Sequence, residues 1–197
     1  MMRTGCFRDQ RLPARQGFTL VELMVVLVIL TILLAIAVPS MREFIARKRV
    51  EGVANELATD LRYLRAKQIE RRRNTVIRFS ATNEKTCYVL YFEELGGADC
   101  DCARQPACPE NRFGTSAEEF KTVSLLRSGG VVVTSEPTSL LLAGVSGMPF
   151  NNVTIVASVA SSLGGEVRVA TNQAARPSMC SVTGNNSALP TCPSSTP

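Results

Sequence analysis

The sequence predicts an α+β fold, in which a long N-terminal helix packs on a mostly antiparallel β-sheet and the first half of the helix spans a membrane. Two patterns predict the helix: an apolar run over residues 18–38 and an amphipathic pattern over residues 39–74. A third predicts the sheet, because short strand-like segments separated by turn residues fill residues 75–197. One long helix before several short strands indicates an α+β roll.

The apolar run matches a membrane span in length. Phe18–Val38 contains 21 residues and a single charge, Glu22. A helix of this length reaches about 31 Å, close to the roughly 30 Å hydrocarbon core of a bilayer. Ala35-Ile36-Ala37 offers the alternative of an ordinary secretory signal cleaved near Val38. The run exceeds a signal's apolar core of about 7–15 residues, which favours a retained span.

Most of the net charge of +5 belongs to residues 1–17, which carry four arginines and one aspartate. We therefore interpret this segment as a basic leader, and the basic balance says little about partners of the rest of the chain. The basic residues after the span, offset by Glu43 and Glu51, leave orientation nearly tied by the positive-inside rule.

Composition also restricts the chemistry. The chain has no histidine, so His-dependent catalytic arrangements and imidazole metal ligands are excluded. We expect a protein that is not an enzyme, with no catalytic residue, cofactor or metal. Of seven cysteines, Cys6 lies in the leader and six follow. An even number suggests disulfides, and hence a C-terminal body in the periplasm or at the cell surface.

Glu22 needs a partner, because a carboxylate within a span costs on the order of 2.5–3.5 kcal/mol. A cut between Gly17 and Phe18 would place a new amine one helical turn away, and Glu22 of one subunit could pair with the Phe18 amine of a neighbour. The alternative is a Glu22 close enough to the interface to stay hydrated or protonated.

The segment Gly17-Phe18-Thr19-Leu20-Val21-Glu22-Leu23 resembles the processing and assembly motif of type IV pilins and type II secretion pseudopilins. The resemblance implies that a prepilin peptidase cuts after Gly17, that Phe18 is N-methylated and that Glu22 guides docking into a helical filament. Pro39 resembles the proline that kinks the first helix in many of these proteins.

Beyond Pro39 one helix face is apolar, and it is formed by Phe44, Val50, Val53, Leu57, Leu61 and Leu64. The resemblance to pilins implies that this face covers the sheet. The segment from Asn55 to Arg62, followed by Ala66, is similar to the branch that includes GspH pseudopilins and the FimT and FimU minor pilins. The same stripe would suit any helix that covers a core.

The remaining chain is predicted as a β-rich domain over residues 75–197. Asn74 is expected to close the helix. The strand candidates are 75–79, 86–92, 120–126, 131–134, 140–142, 153–156 and 167–170. Between the second and third lies a long polar loop, Glu93–Glu119, and the uncharged tail after Gly184 is expected to be exposed.

The long loop contains three cysteines. The spacing of Cys100, Cys102 and Cys108 does not match a zinc site, so disulfides with Cys87 are the better interpretation, with open connectivity. This leaves Cys180 and Cys192 as the expected pair, closing a loop around Gly184-Asn185-Asn186. The pairing suits the resemblance, since pilins often use a C-terminal disulfide-bounded loop in subunit contacts.

The resemblance leaves several functions open. The first is a minor pilin at the tip or priming complex of a type IV pilus, anchored in the bacterial inner membrane and partnered by other pilins and the prepilin peptidase. The alternative is the type II secretion protein H, a minor pseudopilin. A second alternative is DNA capture during transformation, for which the candidate contacts are Arg71, Arg72, Arg73, Arg168 and Arg176. A glutamate at position 166, where another arginine would help, weakens that alternative.

Overall fold

A computed structural model describes residues 17–93, 99–109, 117–144, 146, 148–149, 153–182 and 189–193. The chain divides into two compact units, Met1–Ser40 and Met41–Pro197. The leader up to residue 16, the turn around Gly184 and the last four residues lie outside the described residues, as do the predictions made for them.

In the described part of the chain, one α-helix, α1, runs from Leu20 to Arg71. In the first unit its apolar side chains are exposed, and the helix is long and apolar enough to cross a bilayer. In the second unit α1 turns one apolar face inward, burying among others Val50, Leu57, Leu61 and Leu64. These four residues belong to the face predicted from the helical spacing of the sequence.

Within the described residues, eight strands follow in the second unit. They are β1 Thr75–Ala81, β2 Lys85–Phe92, β3 Glu118–Leu126, β4 Val132–Glu136, β5 Ser139–Leu142, β6 Val156–Ser161, β7 Gly165–Thr171 and β8 Pro177–Ser181. A 3₁₀ turn, Arg127–Gly129, connects β3 to β4. The strands form two four-stranded antiparallel sheets, ordered β3-β2-β1-β5 and β4-β6-β7-β8.

One core joins α1 to both sheets. Leu57 and Leu61 of the helix share it with Ile77 and Leu90 of the first sheet and with Val159 of the second. A backbone-to-side-chain hydrogen bond also links the sheets, since the Val133 N–H donates to Oγ1 of Thr86 across 3.2 Å. The α+β prediction is confirmed, but the chain builds two sheets where one was expected.

The first sheet is covered on both faces. Tyr88 and Leu90 of β2 point into the main core, whereas Cys87, Val89 and Tyr91 form a second cluster with Cys100 and Cys102 from the cysteine-containing segment. Burial on both sides explains why β2 reads as a nearly continuous apolar run from Cys87 to Phe92.

One strand prediction was wrong, and one strand was not predicted. The strand expected at 153–156 begins only at Val156 and continues through Ala157, Ser158, Val159 and Ala160. The alanines and serines of this strand have weak strand propensity, but the strand fits between β4 and β7, and Ala157 and Val159 are fully buried there. Strand β8 was not among the candidates; it lies at the edge of the second sheet, where Pro177 is tolerated as its first residue.

The end of α1 also differs from the prediction. The helix closes at Arg72, which adopts a left-handed conformation with φ 50° while its N–H donates to the Gln68 carbonyl across 2.8 Å. Asn74 instead accepts a hydrogen bond from the Gly144 N–H at 2.8 Å. Its side chain therefore fixes the β5 end of the first sheet beside the helix terminus.

Candidate assembly site

The residues of the predicted processing motif lie at the start of α1. Gly17 and Phe18 precede the helix and are exposed, with Phe18 82% accessible. Glu22 lies in the first helical turn, where a negative charge is favoured by the helix dipole. The Gly17–Phe18 peptide bond therefore lies in an accessible segment directly before a helix.

Thr19 caps this helix, a role that the motif analysis missed. Its Oγ1 accepts a hydrogen bond from the Glu22 N–H across 3.2 Å, and its carbonyl accepts one from Leu23 N–H at 3.2 Å. The sequence signal was present, since Thr19-Leu20-Val21-Glu22 has the Thr-x-x-Glu spacing of a capping box. The cap fixes where the helix begins. It therefore determines how many of the residues between Phe18 and Glu22 are helical.

Pro39 lies inside α1, which continues on both sides of it. Proline lacks the N–H that would donate to the carbonyl four residues earlier, and its ring crowds that carbonyl. A kink at Pro39 therefore remains a prediction from its chemistry.

Six cysteines form three disulfides. Cys87 is joined to Cys102, Cys100 to Cys108, and Cys180 to Cys192. The last is the pair expected from the sequence, and the first two resolve the connectivity that the sequence left open. Cys180 lies in edge strand β8, and the Cys192 N–H donates to the carbonyl of Ser181, so this disulfide holds the C-terminal segment along that edge.

Charged side chains fasten the cysteine-containing segment to β1. Arg78 lies 2.9 Å from an Asp99 carboxylate oxygen. A hydrogen bond from Ser80 lowers the pKa of Asp101, with smaller contributions from the Ala103 N–H and from Arg104. Together with the two disulfides, these contacts make the segment a fixed cover over one face of the first sheet.

A buried polar cluster connects α1 to the first sheet. Asp60, whose side chain is 5% exposed, accepts a hydrogen bond from the Tyr88 hydroxyl at 2.7 Å and lies 2.6 Å from Lys121 Nζ. Burial, reinforced by the bond to Asp60, raises the pKa of Tyr88. Burial alone would lower the pKa of Lys121, but its contacts with Asp60 and Glu56 raise it. The helix is thereby fixed in register against β2 and β3.

The five candidate nucleic-acid arginines lie on three different elements. Arg71–Arg73 end the helix, Arg168 lies in β7, and Arg176 immediately precedes β8. Arg73 lies 2.8 Å from Glu118 and its guanidinium is 4.8 Å from the centre of the Phe92 ring. Arg168 lies 3.3 Å from Glu166. These contacts give two of the arginines structural roles within the domain.

Known proteins share the N-terminal motif of this chain. The profile of the prokaryotic N-terminal methylation motif matches residues 12–38. A fimbrial protein of Pseudomonas aeruginosa is 33% identical over 109 residues, which is 53% of this chain and 66% of that protein. The type IV major alpha-pilin of Moraxella bovis is 47% identical over 45 residues, or 23% of this chain and 28% of that pilin. The chain thus spans slightly less than two thirds of the P. aeruginosa relative.

Among solved structures, the type IV minor pilin FimU of P. aeruginosa superposes with a TM-score of 0.48 and 14% identity, covering 69% of this chain and 91% of that one. The methylation motif covers the residues at the head of α1 and its exposed apolar stretch. The chain therefore carries the prokaryotic N-terminal methylation motif and is similar in sequence to fimbrial proteins and type IV pilins.

Proposed function

We propose that the protein is a minor pilin that enters the tip or priming complex of a type IV pilus. The observation that carries the proposal is the continuity of one helix, which begins at the capped Thr19–Glu22 turn and ends against a disulfide-stabilised domain. The exposed apolar side chains between these ends need a partner in any state of the protein, first lipid and then other pilin helices.

Processing prepares the chain for assembly. A prepilin peptidase cuts the accessible bond after Gly17, and Phe18 becomes a methylated N-terminus. Glu22 then lies four residues after that amine, in the first turn of α1. A carboxylate in lipid costs on the order of 2.5–3.5 kcal/mol, so pairing with a neighbour's amine favours transfer of the subunit from membrane to filament.

The proposed topology places the leader in the cytoplasm and residues 39–197 in the periplasm. Three disulfides support it, because structural disulfides persist in oxidising compartments. The filament position follows from the domain, since the sheets and the Cys180–Cys192 segment would determine which pilin lies above or below.

The test is mass spectrometry of two fractions from the native organism, sheared surface filaments and cell envelopes. We expect a peptide that begins at methylated Phe18 in the filament fraction. The same peptide confined to envelopes would favour a secretion pseudopilin and contradict the pilus role. A chain that starts near Val38 would mean ordinary signal cleavage and would contradict the whole proposal.

A variant series tests the role of Glu22 separately. Glu22→Ala should leave processing intact but reduce incorporation into filaments at least tenfold. Thr31→Ala, which removes another polar group of the span whose hydroxyl bonds only the Val28 carbonyl, is the matched control and should be incorporated normally. Equal incorporation of Glu22→Ala and wild type would rule out the amine pairing.

A further inference from the structure

A groove lined by two arginines lies beside α1 in the second unit. It measures about 350 Å³ and is bounded by one helix face and by two turns. The helix contributes Arg42, Ile45, Ala46 and Arg49, which share a face because they are three, four and seven residues apart. The 3₁₀ turn and the glycine that follows it contribute Ser128, Gly129 and Gly130, and the β6–β7 turn contributes Ser162 and Leu163.

The charge in this groove, named here the arginine groove, is uncompensated. Its lining includes two guanidinium groups and no carboxylate. The neighbouring acids on the helix are engaged elsewhere, Glu43 with Arg47 at 3.6 Å and Glu51 with Lys48 at 2.8 Å. Within the described part of the chain, no carboxylate lies within ion-pair distance of Arg42 or Arg49.

One wall of the groove packs closely against the helix backbone. A Cβ on Gly164 would lie only 2.7 Å from the carbonyl carbon and oxygen of Ala46, so the β6–β7 turn rests directly on the helix backbone. That contact places Leu163, 60% exposed, beside the exposed Ile45. The groove therefore presents apolar side chains next to the two positive charges. This arrangement complements a ligand that has both an anionic and an apolar part.

The position of the arginine groove along the chain places it close to the headgroup layer of the bilayer. Arg42 is four residues beyond Val38, the end of the apolar run, or about 6 Å at the helical rise and at most about 14 Å for any conformation. The headgroup layer on each side of a bilayer is roughly 5–8 Å thick. Helical side chains tilt toward the N-terminus of their helix, so Arg49 leans back along α1 toward Arg42.

We propose that the arginine groove binds the phosphate of an anionic phospholipid headgroup while the subunit is anchored in the membrane. The two guanidinium groups take the phosphate oxygens, and Ile45 and Leu163 contact the glycerol and upper acyl region. The inference rests on membrane anchoring by the apolar run and is independent of which filament the subunit joins. Binding of the headgroup would give the membrane-anchored subunit a fixed depth and rotation relative to the lipid surface.

The test uses the full chain in nonionic detergent, titrated with phosphatidylglycerol or with phosphatidylcholine of the same acyl chains, and native mass spectrometry to obtain both dissociation constants. Wild type should prefer phosphatidylglycerol, and the Arg42→Gln/Arg49→Gln variant should lose that preference by about 25-fold, about fivefold for each arginine. The matched control is Arg62→Gln/Arg65→Gln, which removes the same charge farther along the same helix and should keep the preference.

Several outcomes would overturn the proposal. They are equal affinity of wild type for the two lipids, an equal loss in both double variants, or full competition by glycerol 3-phosphate, which would indicate a site for soluble phosphate esters. Dimerisation that depends on Arg42 and Arg49 without any lipid preference would make the groove a subunit contact. Near-ultraviolet circular dichroism verifies that each variant is folded, and filament incorporation of wild type separates this failure from failure of the proposed function.

Discussion

Tyr88 and Asp60 join the first sheet to the helix through a hydrogen bond of 2.7 Å. The bond lies in an otherwise apolar interface, where Tyr88 is 1% and Asp60 4% exposed. Lys121 approaches the second oxygen of the carboxylate, so its ammonium group compensates the negative charge of Asp60. The pair therefore ties the register of the helix to that of β2 in a way that apolar contacts do not.

Removing the Asp60 carboxylate should destabilise the domain more than removing the Tyr88 hydroxyl. Asp60→Ala leaves a buried hydroxyl and a half-buried ammonium without their acceptor, at a cost of about 2–4 kcal/mol, whereas Tyr88→Phe should cost about 1–2 kcal/mol. Urea unfolding of the two variants and of the double variant measures the coupling. Strictly additive effects would contradict a direct interaction.

Gly164→Ala should destabilise the domain by about 2–4 kcal/mol, because the new methyl group meets the Ala46 backbone at 2.7 Å and cannot displace it cheaply. Gly52→Ala is the matched control. It lies on exposed helix with nothing within 4 Å of the added Cβ, and should stabilise by about 0.5–1 kcal/mol. Thermal unfolding should give shifts of opposite sign, and a neutral Gly164→Ala would refute the close contact.

Replacing Arg72 by glycine should stabilise the protein by about 1 kcal/mol, since Arg72 is held at φ 50° and glycine adopts that conformation without strain. Arg71→Gly, one residue earlier and still helical, should instead destabilise by up to about 1 kcal/mol. Chemical unfolding distinguishes the two. If both substitutions destabilised equally, the helix would not end at Arg72.

Stability should fall at alkaline pH through the buried tyrosines. Burial, reinforced by the charge of Asp99, raises the pKa of Tyr91 to about 12, and burial also raises the pKa of Tyr88. A folded-state pKa above the unfolded value means that the protonated phenol favours the fold. This stabilisation is complete below about pH 10 and is lost as the pH rises toward 12.

Ultraviolet absorbance of tyrosinate, followed together with unfolding, measures this loss. Tyr91→Phe should flatten the decline of stability between pH 10 and 12. Ionisation of all three tyrosines near pH 10 with the fold intact would contradict the burial of Tyr88 and Tyr91.

Removing the disulfide between Cys180 and Cys192 should lower the free energy of unfolding by about 3 kcal/mol, as expected for closing a loop of about a dozen residues. The double substitution to serine avoids leaving a free thiol. Guanidinium unfolding measures the loss, and hydrogen exchange should locate it at β8 and its partner β7. An unchanged midpoint of guanidinium unfolding would mean that the disulfide-linked C-terminal segment does not stabilise the edge strand.

Local patterns in the sequence predicted the helix and its buried face, because helical spacing alone places Leu57, Leu61 and Leu64 on one side. The strand at Thr86–Phe92 was recognisable from its β-branched and aromatic residues. The Thr19 cap was also recognisable in the sequence from its Thr-x-x-Glu spacing, although the assembly motif occupies the same residues.

Long-range pairing could not be predicted in the same way. The small residues of β6 become a strand only because β4 and β7 lie on either side, and the division into two sheets depends on which strands meet. The arginine groove likewise needs Arg42 and Arg49 next to turns more than 75 residues away in sequence. No local pattern around either arginine contains that information.

The two disulfides of the cysteine-containing segment overlap along the chain, since Cys100 lies between Cys87 and Cys102 while its partner Cys108 lies beyond them. Every peptide bond from Cys87 to Cys108 is therefore spanned by at least one covalent bridge. A protease that nicks the backbone once in this stretch cannot release a fragment, and the cut ends stay attached to strand β2. A subunit displayed outside the cell would keep its covalent continuity after such damage.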